Sequence, residues 1–280
     1  MIIREALAWA KTLLSATSAD SPILSADVLL AHVVGCKRVD LYTRSETVLD
    51  AVQQARFRDL ICRRAALEPV AYLTGVKEFR GLDLSVGPDV LIPRPETEEL
   101  VDLALSLICE RDPFRFLDVG TGSGAIAVAM AVERALATGL AMDLSMSALS
   151  FATKNLKRHG VLERVFLLCA DMVSALKAGP WFDLVVANPP YLSNTEYGSL
   201  DPGVAAYEPY LALVSGVGGC EMPIRTGIEA RQLVKRGGSL VMEIGCTQGE
   251  VVREALEGLW ACVDICPDTS GRGRFVLARA

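Results

Sequence analysis

The sequence predicts an α/β protein in which a helical bundle precedes a doubly wound, mostly parallel sheet of seven strands. Three observations predict this fold. The first part of the chain has apolar residues at helical spacing and no strand pattern. From residue 115 onward, short apolar segments alternate with helical ones. Those short segments are apolar almost throughout, as expected of strands that helices cover on both faces.

The helical region is predicted over residues 1–71. Its first helix spans Ile2–Ser15, where apolar residues recur at helical spacing. Ser25 is the expected cap of a second helix, which Gly35 ends. A third helix is expected over Val48–Ala66. We therefore predict a separate bundle without catalytic residues of its own.

A change of pattern follows the bundle. Residues 72–92 contain short β-like segments interrupted by Gly81, Gly87 and Pro88, which indicates a hairpin linker. The next segment has prolines and acidic residues at its start, as favoured in the first turn of a helix. Residues 93–280 are therefore expected to form the second domain.

The seven strands of that domain follow from its apolar segments. In an open α/β sheet, ligands bind beyond the carboxyl ends of the strands, so the residues after each strand are the candidate site. The expected strands are Arg115–Val119, Leu140–Met142, Val165–Cys169, Leu184–Ala187, Ser239–Ile244, Cys262–Ile265 and Arg274–Ala278.

The residues after the first two strands indicate a nucleotide-like cofactor. Glycines allow a tight turn and a close approach of a ligand to the backbone, and a helix start offers free N–H groups. Asp143 follows the second strand, 18 residues after Ala125, where it can bind ribose hydroxyls. A nicotinamide cofactor and S-adenosylmethionine fit equally well at this point. The loop consists of Gly120, Thr121, Gly122, Ser123 and Gly124.

The tetrapeptide after the fourth strand indicates the reaction. A planar amide or aromatic amine is a poor nucleophile with two N–H groups, so a methyltransferase must hold both and aim the nitrogen. Asn188 can accept one hydrogen through its side-chain oxygen, and the carbonyl of Pro189 can accept the other. Pro190 stiffens the loop, and Tyr191 can pack against the planar group. The tetrapeptide therefore favours methyl transfer to nitrogen, and it would have no role in a dehydrogenase.

Composition narrows the class of protein. The net charge of −6 and the lack of a basic run argue against strong phosphate binding. The eight cysteines include no CxxC pair, and the chain has only two histidines. This pattern does not match a zinc-binding motif, so we expect no metal site. We expect reduced, mostly buried thiols. Without a long apolar segment or a signal peptide, we expect a soluble cytoplasmic protein.

The chain resembles the release-factor protein-(glutamine-N5) methyltransferases, which are bacterial class I enzymes that use S-adenosylmethionine. The resemblance covers nearly the whole sequence. It rests on the motifs PVAYLTGVKEF (69–79), LIPRPETEELV (91–101), FLDVGTGSGAIAVAMA (116–131), FDLVVANPPY (182–191), YEPYLAL (207–213) and MEIGCTQGE (242–250).

The resemblance implies a Rossmann-like methyltransferase fold and a substrate, the glutamine of the Gly-Gly-Gln motif in peptide-chain release factors. It implies that the glycine loop passes under the methionine portion of S-adenosylmethionine and that Asp143 binds the ribose. Asp171 and Met172 would lie beside the adenine. Asn188 to Tyr191 would hold the glutamine amide, with Asn188 also beside the cofactor. S-adenosylhomocysteine would leave, and the helical domain would help to dock the release factor.

Several alternatives stay open at this point. Glutamine methylation of a ribosomal protein would use nearly the same sheet, and N6-adenine methylation of nucleic acid poses a similar acceptor problem. We expect no direct nucleic-acid binding, no membrane association and a monomer. Arg94 could pair with the cofactor's carboxylate or form a structural salt bridge. Glu98 could belong to the site or to a helix start, and Glu208 could cover the substrate or belong to a plain loop.

Overall fold

The computed structural model describes all residues from Met1 to Ala280, and they form two compact units. The first unit contains Met1–Val76 together with Asp201–Tyr207. The second contains Lys77–Leu200 and Glu208–Ala280. The division therefore falls a few residues beyond the expected bundle, and it assigns one short later segment to the helical unit. The functional domains 1–71, 72–92 and 93–280 stay a prediction.

The chain contains thirteen helices and eleven strands. The helices are α1 (Ile3–Ser15), α2 (Pro22–Val34), α3 (Arg38–Thr43), α4 (Ala51–Ala65), α5 (Val70–Thr74), α6 (Pro95–Ser106), α7 (Ala125–Glu133), α8 (Met146–Arg158), α9 (Asn194–Tyr197), α10 (Pro202–Tyr207), α11 (Tyr210–Leu213), α12 (Glu221–Arg231) and α13 (Gly249–Leu256). The strands are β1 (Val76–Phe79), β2 (Leu82–Ser85), β3 (Phe114–Val119), β4 (Ala137–Asp143), β5 (Val165–Cys169), β6 (Phe182–Ala187), β7 (Leu192–Ser193), β8 (Val214–Gly216), β9 (Val234–Glu243), β10 (Cys262–Pro267) and β11 (Gly273–Arg279). No helix has the length and apolar character that crossing a bilayer requires.

The helical unit has its own core between α1, α2 and α4. Leu14, Leu29 and Phe57 are fully buried there, and the ring of Trp9 meets that of Phe57 edge to face. The later segment α10 joins this unit, because the hydroxyl of Tyr207 donates to a backbone carbonyl at the end of α4 at 3.0 Å. The bundle is therefore closed by a segment that lies far along the chain.

The start of α2 differs from the prediction. The helix begins at Pro22 after the left-handed residue Ser21, so Ser25 lies inside the helix and does not cap it. Ser25 is buried, and its hydroxyl accepts a hydrogen bond from Arg64. Proline at the first helical position stabilises the helix start without a side-chain cap, which the prediction overlooked. The expected end at Gly35 is confirmed.

The seven predicted strands all form, and they make one sheet in the order β10-β11-β9-β6-β3-β4-β5. Strands β5, β4, β3, β6 and β9 run parallel, whereas β11 pairs antiparallel with β9 and with β10. The mostly parallel, doubly wound fold is therefore confirmed. Strand β4 extends beyond the predicted Leu140–Met142, because Thr138 and Gly139 lack the apolar character on which the prediction relied.

Helices cover both faces of the sheet. Phe116, Leu184 and Val241 belong to the core on one face, while Leu117 and Val185 belong to the core on the other. The hairpin β1–β2 contributes to the first core, because Phe79 and Leu84 are fully buried in it. The hairpin is thus part of the sheet unit and not only a connection to it.

The register of the parallel strands aligns their carboxyl ends. Val119 of β3 pairs with Met142 of β4 and with Ala187 of β6, and Ala187 in turn pairs with Met242 of β9. The next residues of these strands therefore reach the same edge of the sheet. They are Gly120, Asp143, Asn188 and Glu243.

The expectation of mostly buried thiols is wrong. All eight cysteines are free, and five of them are exposed. Two of the exposed ones belong to the edges of the sheet, Cys169 at the end of β5 and Cys262 at the start of β10. Both edge strands have several exposed or half-buried positions, so their faces are less completely covered than those of the central strands.

Candidate active site

A cavity of about 810 Å³ opens at the aligned carboxyl ends of the strands. It lies where the sheet order reverses between β3 and β6, the place where open α/β sheets bind ligands. Its volume is within the range of small-molecule sites. Nine of the twelve predicted site residues line it: Gly120, Thr121, Gly122, Ser123, Asp143, Asp171, Met172, Asn188 and Pro190. The other three, Gly124, Pro189 and Tyr191, are neighbours of these lining residues in the chain.

The glycine loop turns sharply from β3 into α7. Gly120, Gly122 and Gly124 have φ values of 73°, 55° and 81°, which other residues rarely adopt. A side chain at Gly124 would come within 3.1 Å of the backbone of Ala152 on α8. The turn therefore needs glycine both for its backbone conformation and for close helix packing.

A buried carboxylate lies beneath this loop. Asp118 of β3 accepts hydrogen bonds from the hydroxyl of Thr121 at 2.6 Å and from the N–H of Ala127 at 3.2 Å, both on the same oxygen. Its other oxygen is buried and has no protein partner. Burial raises the pKa of Asp118 to about 7, although the two hydrogen bonds oppose that rise.

Asp143 connects the loop to the neighbouring strand. One of its oxygens accepts a hydrogen bond from the N–H of Gly122 at 2.8 Å, and the other accepts from the N–H of Ser145 at 2.9 Å. Each oxygen of an ionised carboxylate can accept more than one hydrogen bond. Asp143 lines the cavity and can therefore still accept hydroxyl donors from a ligand.

Asp171 and Met172 form a second part of the wall beyond β5. Arg225 of α12 donates to both oxygens of Asp171 at 3.0 Å, and it lines the cavity as well. Met172 has a positive φ of 48°, which turns the chain after the acidic residue. Arg225 was not predicted, since nothing in its local pattern separates it from other basic residues on a helix surface.

Asn188 lies at the end of β6 in a chain of side-chain hydrogen bonds. Its Nδ2 donates to the hydroxyl of Thr97 at 3.0 Å, and that hydroxyl donates to Glu243 Oε2 at 2.9 Å. Thr97 and Glu243 are buried. Asn188 lines the cavity, and so does Thr97. Burial raises the pKa of Glu243 to about 7, although the hydrogen bond from Thr97 acts to lower it. The role of Thr97 was not predicted, because it lies in a motif read only as a helix start.

The rest of the tetrapeptide is fixed from behind the cavity. Gln248 is buried and donates to the backbone carbonyls of Tyr191 at 2.6 Å and Gly219 at 3.1 Å. The hydroxyl of Tyr191 donates to Glu243 Oε1 at 3.4 Å, and Pro189 is buried. The Tyr191 hydroxyl therefore connects the tetrapeptide to β9, and the packing of its ring against a substrate stays a prediction.

The structure shows the contacts of three residues for which the sequence analysis left two roles open. Arg94 forms an ion pair with the buried Glu208 at 2.5 Å, which is the structural salt bridge that the sequence analysis gave as one alternative. Glu208 also accepts a hydrogen bond from the N–H of Ile92 at 3.1 Å, so it connects two segments of the cavity wall. Glu98 accepts from the N–H of Arg80 at 3.2 Å and does not line the cavity.

Two family models match the chain. Residues 5–75 match the PrmC N-terminal domain, and residues 101–199 match the methyltransferase small domain. Two curated relatives are each named release factor glutamine methyltransferase. The one from Nitratidesulfovibrio vulgaris is 40% identical over 98% of this chain and 93% of its own length. The one from Escherichia coli K12 is 39% identical over 97% of both chains.

A solved structure supports the fold. A methyltransferase from Pyrococcus furiosus aligns with a TM-score of 0.52 and 20% sequence identity, over 81% of this chain and 97% of its own. At that level of identity the likeness concerns the fold alone.

Proposed function

This chain belongs to the release factor glutamine methyltransferase family, and from that premise we propose that it methylates a glutamine side-chain amide in peptide-chain release factors. The methyl donor is S-adenosylmethionine, and the target is the glutamine of the Gly-Gly-Gln motif. One observation of the structure carries the proposal: the Asn188 amide lines the same cavity as the glycine loop. Donor and acceptor can therefore meet there.

The residues of the cavity fit S-adenosylmethionine. A side chain at Gly120 or Gly122 would meet no protein atom within 4 Å, so the loop leaves its backbone open toward a ligand. Asp143 keeps acceptor capacity for ribose hydroxyls, and Met172 offers an apolar surface for the adenine beside Asp171. When bound, S-adenosylmethionine would supply a methyl group on a sulfonium: the amide nitrogen gains the methyl group and gives up one proton, and S-adenosylhomocysteine leaves.

Two acceptors of this chain would hold the glutamine amide. The Asn188 side-chain oxygen can accept one N–H hydrogen of the substrate, and the carbonyl of Pro189 can accept the other. Gln248 holds the backbone just after them, so the loop keeps its shape when the substrate enters. Holding a weak nucleophile in line with the methyl group supplies much of the rate, because the entropy of alignment is lost on binding and not in the transition state.

The helical unit would dock the release factor. It matches the family's N-terminal domain and exposes apolar side chains, among them Ile23 and Val39 at 59% and 62% exposure. A bound protein would cover such side chains and remove their apolar surface from water. A protein substrate also suits the net charge of −6 better than nucleic acid does. We propose that the chain acts as a cytoplasmic monomer.

Mass spectrometry of a release factor tests the proposal. Incubation with this protein and S-adenosylmethionine should add one CH2 unit to the Gly-Gly-Gln glutamine. The Asn188→Ala variant should lose this activity while it keeps its melting temperature. Asn194→Ala, which removes an exposed amide, is the matched control and should stay active. If the wild-type protein binds S-adenosylmethionine but leaves the release factor unmodified, the substrate is a different one, and a ribosomal protein is tested next.

A further inference from the structure

The side chains of Asn188, Thr97 and Glu243 form a short relay that starts at the cavity. They come from three separate elements: the end of β6, the first turn of α6 and the end of β9. The two hydrogen bonds that join them are 3.0 Å and 2.9 Å long. Thr97 is 4% exposed and Glu243 is 1% exposed. Because water cannot reach the inner part of the relay, its hydrogen bonds have to be satisfied within it.

The direction of these hydrogen bonds follows from how many hydrogens each side chain of the relay can donate. An ionised Glu243 can only accept, so the single hydroxyl hydrogen of Thr97 must point to it. The oxygen of Thr97 must then accept from a donor, and the NH2 group of Asn188 is that donor. The Asn188 carbonyl oxygen is thereby left to accept a hydrogen bond from a ligand in the cavity.

This direction matters for an amide substrate. A glutamine side chain offers an NH2 group, which needs an acceptor opposite it. If the Asn188 amide were turned over, its NH2 group would face the NH2 group of the substrate, and neither could accept. We propose that Thr97 and Glu243 are positioning residues that fix which end of the Asn188 amide faces the substrate. This inference rests on the proposed function of Asn188.

The charge state of Glu243 then controls the relay. Burial raises the pKa of Glu243, and the charge of Glu96 on α6 acts in the same direction. Arg274 on β11 and the hydrogen bonds from Thr97 and Tyr191 lower it. The resulting pKa of about 7 lies in the neutral range. A protonated Glu243 can donate to Thr97 and so reverse the hydrogen bonds. The amide orientation should therefore change as pH falls through neutrality.

Nuclear magnetic resonance can follow this amide directly. The chain has only three asparagines, Asn155, Asn188 and Asn194, so selective labelling with 15N-asparagine gives three side-chain amide groups. Asn155 is a built-in control, because backbone groups at Ser85 and Ser123 hold its amide. In the wild-type protein, we expect the Asn188 amide resonances to shift with a midpoint near pH 7 while those of Asn155 stay constant. Glu243→Gln should abolish that shift.

Kinetics supply the second readout. Thr97→Val keeps the shape of the side chain but removes the hydroxyl group, and we expect kcat to fall about 10- to 100-fold. The dissociation constant for S-adenosylmethionine should not change. Thr97→Ser restores the hydroxyl group and should restore most of kcat. Because the amide orientation changes when Glu243 is protonated, we expect the wild-type kcat to fall at acidic pH. Glu243→Gln should remove this fall, because the glutamine carries no titrating proton.

The outcomes separate this inference from the proposed function. If Thr97→Val keeps the wild-type kcat, the relay does not position the amide and the inference is overturned. Methylation of the release factor by the wild-type protein would still support the proposed function in that case. Conversely, a pH-dependent shift of the Asn188 amide resonances that Glu243→Gln abolishes would support the relay. It would do so even if the wild-type protein left release factors unmodified.

Discussion

Gly139 on β4 pairs with Phe116 on β3, and the phenyl ring of Phe116 occupies the space that a side chain at Gly139 would need. Phe116 is fully buried in the core on one face of the sheet. The ring therefore packs against bare backbone at the centre of the parallel strands. The strand pattern of β4 is interrupted at Gly139 for this reason, which also explains why the predicted strand was too short.

Replacing this glycine should destabilise the protein. Gly139→Ala forces the Phe116 ring to move within a filled core, and we expect a loss of about 1–3 kcal/mol in the free energy of unfolding, measured by urea denaturation. Gly198→Ala is the control, because it adds the same methyl group at an exposed helix end. Adding Phe116→Leu to Gly139→Ala should recover part of the loss. Equal stability of the two alanine variants would contradict this account.

Asp143 should determine the affinity for the cofactor. Asp143→Ala removes the acceptor proposed for the ribose and the partner of the Gly122 N–H. Hydrogen bonds to a charged group contribute about 1.5–3 kcal/mol, so the dissociation constant for S-adenosylmethionine should rise roughly 10- to 100-fold in isothermal titration calorimetry. Asp112→Ala changes an exposed carboxylate before the amino end of β3 and serves as the control. An unchanged dissociation constant in Asp143→Ala would remove this residue from the cofactor site.

The sequence was sufficient to predict the parts of the site that are local in the chain. Each predicted strand is a short, mostly apolar segment, and the polar residues after the parallel strands reach the same edge because these strands share a direction. Gly120, Asp143 and Asn188 could therefore be placed together before any coordinates were known.

The contacts between distant segments could not be predicted in this way. Thr97 and Glu243 are 146 residues apart, and their hydrogen bond depends on how α6 packs against β9. Arg225 and Gln248 are similar cases, since each reaches a partner more than 50 residues away. Short elements were also missed. Helix α3 has only six residues, too few for a clear helical periodicity.

The ion pair between Arg94 and Glu208 should contribute to stability more than a surface pair does. The Glu208 side chain is 1% exposed, so Arg94→Met would leave a buried carboxylate with one remaining donor, the N–H of Ile92. We expect a loss of about 3 kcal/mol in the free energy of unfolding. The double variant Arg94→Met/Glu208→Gln removes the charge as well and should recover part of that loss. A single variant as stable as the wild-type protein would show that Arg94 is not needed to compensate Glu208.

The buried Asp118 should make stability depend on pH. Its pKa of about 7 in the folded protein lies above the ordinary value of 3.8, so the folded state keeps a proton that the unfolded state loses. Stability from this group is therefore fully present below about pH 4 and is lost as pH rises toward 7, at about 1.4 kcal/mol per pH unit. Asp118→Asn cannot titrate at this position and provides the reference.

Urea denaturation from pH 4 to pH 9 without a ligand tests this expectation. The free energy of unfolding of the wild-type protein minus that of Asp118→Asn should fall between pH 4 and pH 7 and stay level above it, because all other titrating groups are common to both proteins. A difference that stays level from pH 4 upward would have the opposite meaning, because a carboxyl group whose pKa in the folded protein is 3.8 or lower is already ionised over that range. It would show that Asp118 is ionised in the folded state, and that the hydrogen bonds from Thr121 and Ala127 outweigh the cost of burying its charge.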